Sequence, residues 1–364
     1  MTGTAYRVGR QMLLCLFAAG CTQGERGRAA VGKTALDVID SVRVQESDSQ
    51  FIARPVDLLV GARGHYFISD VGQSRVTEVE PGGGIVRQFG QRGGGPGEFM
   101  SPSWLATDGD TLLLVKDPGK QTIETFRIAT GAYVGGRRMV RGSGPLRVRN
   151  GTILLSAIDL KAGSGLTTIA RDGAESFEGS VPPIVQRFPM LLSAFYNQAF
   201  AVNDSVVYAI FEMAPGIFRW TRGSHHAEVL AFPRRLRRGV NASDFETMVR
   251  EPAKATALAY RHSIPMRVEF ASPSLLAIAM YDVDLAGQTF TGRYFVSFVD
   301  LSARRVCADL PVPAPNDPPA RVTFVADTVV VIQQALEAGG KPATAIRRFK
   351  FDRTRCDWQP LQGF

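Results

Sequence analysis

Six short apolar runs, each closing on a carboxylate or an amide, recur along the chain. They are Tyr66 to Asp70, Leu112 to Asp117, Ile153 to Asp159, Val206 to Glu212, Leu275 to Asp282, and Val329 to Gln334, and their last residues lie 47, 42, 53, 70 and 52 positions apart. β-Branched and leucine-rich runs of this length predict buried strands. A period of about 40–50 residues with four short strands in each builds the blades of a propeller. The pattern therefore predicts an all-β fold, a six-bladed β-propeller over residues 36–364.

The remaining strands fall between these runs. Blade one takes Val56 to Val60, the Asp70 run, Arg75 to Val79 and Ile85 to Phe89. Blade two takes Trp104 to Thr107, the Asp117 run, Thr122 to Ile128 and Tyr133 to Arg137. Near the C-terminus, Tyr294 to Val299 predicts a hairpin with Arg305 to Leu310, and Ile346 to Phe351 predicts another with Cys356 to Gln359. Val38 to Val44 precedes the first blade as a spare strand. It is placed to complete the last sheet and close the ring, which removes exposed sheet edges.

The 70-residue gap predicts an insertion between blades four and five, about Pro233 to Ile264. Ser243-Asp244-Phe245-Glu246 has the spacing of a capping box, with Ser243 at the cap. Pro252 breaks the chain before a second, alanine-rich helix running through Leu258 and His262. In an up-and-down meander the loops after second and fourth strands share one face. The insertion is thus expected to overhang the face that carries Asp70, Asp117, Asp159, Glu212 and Asp282.

A dense glycine–proline run, Phe89-Gly90-Gln91-Arg92-Gly93-Gly94-Gly95-Pro96-Gly97-Glu98-Phe99, leads into Ser101-Pro102-Ser103-Trp104. It predicts a turn, because glycine frees the backbone and proline removes a donor. A phosphate-binding loop would need a lysine and a hydroxyl residue opening a helix, and Glu98-Phe99-Met100 follow instead. Together with the strands around it, from Val56 to Asp117, the run resembles the NHL repeat of bacterial six-bladed propeller lipoproteins. Blades three to six lack this linker and rest on periodicity. The resemblance implies a fold that hosts binding platforms as well as metal-dependent lyases and lactonases, so it does not choose a function.

The N-terminus changes the picture of where the chain works. Arg7 and Arg10 precede the apolar stretch Met12 to Ala19, and small residues lead to Cys21 in Ala18-Ala19-Gly20-Cys21. This order predicts a cleaved signal peptide over residues 1–20, too short in its apolar part to span a bilayer. The site resembles a bacterial lipobox, with Ala18 where leucine or valine is usual. The resemblance implies lipidation of Cys21, a flexible tether over residues 21–35 and a periplasm-facing outer-membrane lipoprotein. The formal charge is +8, falling to +6 without Arg7 and Arg10. That excess suits an anionic envelope surface and does not point to nucleic acid. Cys307 and Cys356 remain. An oxidising compartment favours pairing them, whereas outer strands one blade apart would hold them beyond disulfide reach, and the sequence leaves both open.

Chemistry is sparse. The strand-end acids could ring the channel mouth, or could order the turns that follow them. His225-His226, His65 and His262 have no zinc spacing, and Arg261 and His262 stand out only because the insertion overhangs the open face. Arg234-Arg235-Leu236-Arg237-Arg238 predicts a solvated hinge or a polyanion contact. No spacing argues a catalytic triad or a metal site, and no cofactor is expected. The sequence favours a non-enzymatic, monomeric binding module for a protein, peptide or glycan. The candidate ligand residues are Asp70, Asp117, Asp159, Glu212, Asp282, Arg261 and His262. A metal-dependent lyase or hydrolase at the channel mouth is the alternative.

Overall fold

The computed structural model describes residues 34–139, 144–187, 198–212, 214–239, 241–259, 261–286, 289–313, 321–336 and 342–362. Six antiparallel sheets follow one another along the chain. Blade one is Pro55–Val60, Tyr66–Asp70, Arg75–Val79 and Ile85–Phe89, and blade two is Leu105–Asp108, Leu112–Asp117, Thr122–Arg127 and Tyr133–Arg138. Blade three comprises Leu146–Arg149, Thr152–Asp159, Ser164–Ile169 and Glu175–Glu178. Blade four comprises Gln198–Val202, Val206–Phe211, Ile217–Thr221 and Glu228–Leu230. Blade five holds Ser263–Ser272, Leu275–Ala286, Thr289–Asp300 and Arg305–Pro311, and blade six holds Arg321–Val325, Thr328–Leu336 and Pro342–Phe351. All six apolar runs are second strands, buried because both faces of a blade are covered by its neighbours.

Leu36–Arg43 supplies the outer strand of blade six by pairing with Pro342–Phe351, Leu36 opposite Phe351 and Arg43 opposite Ala345. The first strand of the chain therefore closes the ring. The predicted hairpin from Ile346–Phe351 into Cys356–Gln359 does not form, because the outer position of that sheet is already taken. The tail instead crosses to blade five, where Gln359–Pro360 pairs with Arg305 and Val306 as a fifth strand. This crossing removes the geometric objection to a disulfide: Cys307 and Cys356 are bonded, with Cα atoms 5.9 Å apart. Phe351 stacks on Phe298 of blade five at 3.8 Å between ring centroids, and Arg305 lies over Trp358.

The glycine–proline run is a compact knot between blades one and two. Phe99 donates its amide to Gln91 O, and Gly93 donates to Phe99 O. Glu98 accepts from the Gly95 amide at 2.8 Å, and Lys120 Nζ donates to the carbonyls of Gly95 and Glu98. The fully buried Phe99 ring packs so closely on Gly90 that a Cβ there would lie 2.3 Å from it. Gly90 also holds φ +68°, in the left-handed region.

Two corrections concern helices. A short helix, α1 (Pro183–Arg187), lies between blades three and four, where none was expected. In the insertion, α2 (Ala242–Arg250) is capped by Asn241, whose side chain accepts from the Ser243 amide, so Ser243 is not the cap. Glu246 does not reach back; it pairs with Arg187 of α1 at 3.0 Å. A turn of 3-10 helix at Pro252–Lys254 leads into α3 (Ala255–Ala259). Blade five begins at Ser263, just before the predicted end of the insertion.

Candidate ligand-binding site

Four of the strand-end carboxylates, Asp70, Asp117, Asp159 and Asp282, accept from backbone amides. Asp70 accepts from the amides of Ala53, Arg54, Gly72 and Gln73 at 2.7–3.2 Å. Asp117 accepts from Met100, Ser101 and Lys120 at 2.7–3.2 Å. Each carboxylate thus fastens the following turn and the linker entering its own blade, and the two sets are offset by the same 47 residues. Asp159 accepts from Lys161 and Ala162 at 2.9 Å. Asp282 lies within its strand, which continues to Ala286 as an extended hairpin with Thr289–Asp300. Among the described residues, no three His, Cys, Asp or Glu side chains gather as metal ligands.

The inner strands, which line the central axis, carry charge. Asp57 of blade one and Arg267 of blade five form a buried ion pair. Arg267 also reaches Glu269 at 2.9 Å and Leu58 O at 2.8 Å. Arg147 of blade three reaches Glu269 at 3.6 Å. The Leu105 amide of blade two donates to Asp57, and the Phe324 amide of blade six donates to Glu269. Burial alone would lower the Arg267 pKa, but Asp57 and Glu269 outweigh it and hold the guanidinium charged. Five blades thus meet in one polar hub that sequence spacing did not reveal, because its members come from strands up to about 270 residues apart.

The stem of the insertion builds a different environment. Asp309, on the fourth strand of blade five, accepts from the amides of Arg235, Leu236 and Arg237 at 2.5–3.2 Å. Arg237 is buried against Asp309 and donates to the carbonyls of Phe232 and Pro233. Its guanidinium lies 3.8 Å from the Phe232 ring centroid. Burial pulls its pKa below the ordinary value, opposed by Asp309 and Asp282. The expected solvated hinge is thus a wound, pinned turn at its centre. Arg238 donates its amide to Asp282 at 2.9 Å and its guanidinium to Val283 O, and Ser263 binds both Asp282 and Arg238 O.

Between this stem and the ends of blades four and five lies a cavity of about 350 Å3. Ile210, Phe211, Phe232 and Met280 supply apolar wall; Glu212, Arg234 and Arg238 supply charge. Of the acids singled out in sequence, Glu212 is the one in this wall. The arginine run was visible in sequence, but its fold depends on Asp309, 72 residues beyond Arg237, and no local signal marks that.

His262 is a correction. It sits in the turn after α3, at 1 % exposure, rather than on a helix surface. Its ring stacks on Phe245 at 4.8 Å, and Nδ1 is 3.1 Å from Gly239 O. Burial holds its pKa below the ordinary value. The ring ties the two ends of the insertion together. Arg261 is exposed, 3.8 Å from Asp244. The helices pack their apolar faces, Phe245, Met248, Ala255 and Leu258, on Val181 and on Val185 of α1. Pro182-Pro183, a helix-start signal, was the available hint of that partner. His225 and His226 are exposed, and His65 binds Glu78 at 2.7 Å. Cys21 and the signal peptide lie outside the described residues.

No family model matches the sequence, and a search of curated proteins finds no match. Solved structures do match. A Bacteroides fragilis protein whose name marks it as exported aligns with TM-score 0.61 at 12 % identity, over 87 % of this chain and 96 % of that one. A member of the DUF4221 family from Bacteroides vulgatus aligns with TM-score 0.61 at 8 % identity, over 86 % and 97 %. The fold is a six-bladed β-propeller. At these identities the likeness extends to the fold alone. Among the described residues, no helix is long and apolar enough to cross a membrane.

Proposed function

We propose that this propeller is an exported, lipid-anchored binding module whose ligand seat is the cavity beneath the insertion stem. The carrying observation is that cavity. At about 350 Å3 it falls in the size range of small-molecule sites, about 300–1,000 Å3, with apolar walls and a few charged groups. The strand-end acids argue in the same direction, since Asp70 and Asp117 are engaged by backbone amides rather than turned toward a ligand. The Cys307–Cys356 bond fits an oxidising, exported compartment. The name of the Bacteroides fragilis neighbour is compatible with that placement.

The test uses 8-anilinonaphthalene-1-sulfonate as a probe, with metal analysis of the purified protein. Saturable, one-to-one probe binding is expected, abolished in Ala231→Trp, which fills the cavity from its half-buried edge. A stoichiometric metal ion whose removal abolishes a hydrolytic or lyase activity would overturn the binding-only reading in favour of an enzyme.

A further inference from the structure

We infer that the cavity selects ligands with an apolar body and a single carboxylate, and that Arg234 is the residue that recognises the carboxylate. This inference rests on the cavity being the ligand seat.

Three arginines of the stem line the cavity, and two are occupied by the fold. Arg237 is held by Asp309 and by two carbonyls. Arg238 is tied to Asp282 through its amide and to Val283 through its guanidinium. Arg234 is exposed, and among the described residues it has no carboxylate partner. Its guanidinium is folded back over Gly239: a Cβ added there would sit 1.2 Å from Nη1. Gly239 thus provides the bare backbone on which Arg234 rests, and both residues line the rim of the cavity.

One uncommitted guanidinium matches one anionic group. Its planar fork matches the two oxygens of a carboxylate. Arg237 and Arg238 are already engaged, so a second negative charge on the ligand would meet no second uncommitted guanidinium, and a dianion such as a phosphate monoester is disfavoured. Ile210, Phe211, Phe232 and Met280 leave the rest of the space to hydrocarbon or aromatic surface.

Fluorescence titration of the folded propeller with 2-naphthoate, neutral 2-naphthol and 2-naphthyl phosphate tests this. Wild type should prefer naphthoate over both others. Arg234→Gln should weaken naphthoate about tenfold or more, as expected for loss of a charge-assisted bidentate pair, and leave naphthol unchanged. Gly239→Ala, which displaces Arg234 without removing it, should act in the same direction, with melting temperatures reporting on folding. If Ala231→Trp blocks all three ligands while Arg234→Gln moves none, the carboxylate inference fails and the cavity reading stands. If Ala231→Trp blocks none, the cavity is not the seat and both fail. Equal affinity for naphthoate and naphthol, tighter binding of the phosphate, or no binding of any naphthyl compound overturns the inference.

Discussion

At the scale of single residues, the cations buried among the described residues divide into those paired with an acid and Lys116, which is held by a carbonyl instead. Arg267 has Asp57 and Glu269. Lys116, on the second strand of blade two, is fully buried, and its Nζ donates to Gly144 O at 2.6 Å. Burial lowers its pKa from 10.5 to about 7. Between those values the unfolded chain holds the proton and the native chain does not, so this residue makes stability rise with pH across that window. Its penalty is largest at and below pH 7. Lys116→Met should therefore be more stable than wild type at pH 7, by about 2–4 kcal/mol. That advantage should shrink as pH climbs toward 10. Urea denaturation of both proteins at pH 7 and 9.5 measures it, and parallel pH profiles would refute it.

At the scale of elements, the strand pattern was legible and the connections were not. Each apolar run proved to be a second strand, because burial on both faces writes a continuous hydrophobic signature. Asp70 and Asp117 could be foreseen as turn acceptors, since the same backbone geometry repeats at the same spacing. The insertion was legible as helix from its composition, but its cap shifted from Ser243 to Asn241, because both residue types satisfy a first turn equally well. His262 could not be placed, since a lone histidine after an alanine-rich segment looks alike on a surface and in a packed hinge. The tail was misread because its strand partner belongs to another blade. That crossing sets the second prediction. Cys307–Cys356 closes a segment of 49 residues between chain end and blade five. Cys356→Ser should cost about 2–4 kcal/mol, visible as a lower urea midpoint under oxidising conditions. With reductant present, wild type and variant should converge; a persistent difference would mean that packing of Cys356, not the bond, is responsible.

At the scale of the whole molecule, the inner-strand hub and the cavity occupy different parts of the ring. The hub joins blades one, two, three, five and six through buried ions and amides, and partnered buried charges of this kind are costly to break singly. The cavity lies to the side, at the seam of blades four and five, where the regular linker gives way to the insertion. In blades one and two a carboxylate clips the preceding linker; in blade five Asp282 clips the insertion through the Arg238 amide instead. The cavity thus lies beside a carboxylate clip of the kind that blades one and two use. The proposed anchor belongs to this scale too. Cys21→Ser should move the protein from the membrane to the soluble fraction in cell fractionation, and undiminished membrane retention would refute lipidation.

The closing strand, Leu36–Arg43, is made first and used last. Its partner, Pro342–Phe351, emerges about 300 residues later. Until then Leu36–Arg43 lacks its strand partner, and blade six lacks the strand that joins it to Thr328–Leu336. A chain that is synthesised or threaded from its N-terminus therefore cannot complete the ring in transit, whatever its other blades have done. Ring closure waits on Pro342–Phe351, and the Cys307–Cys356 bond can form only once Cys356, which follows that strand, has been made.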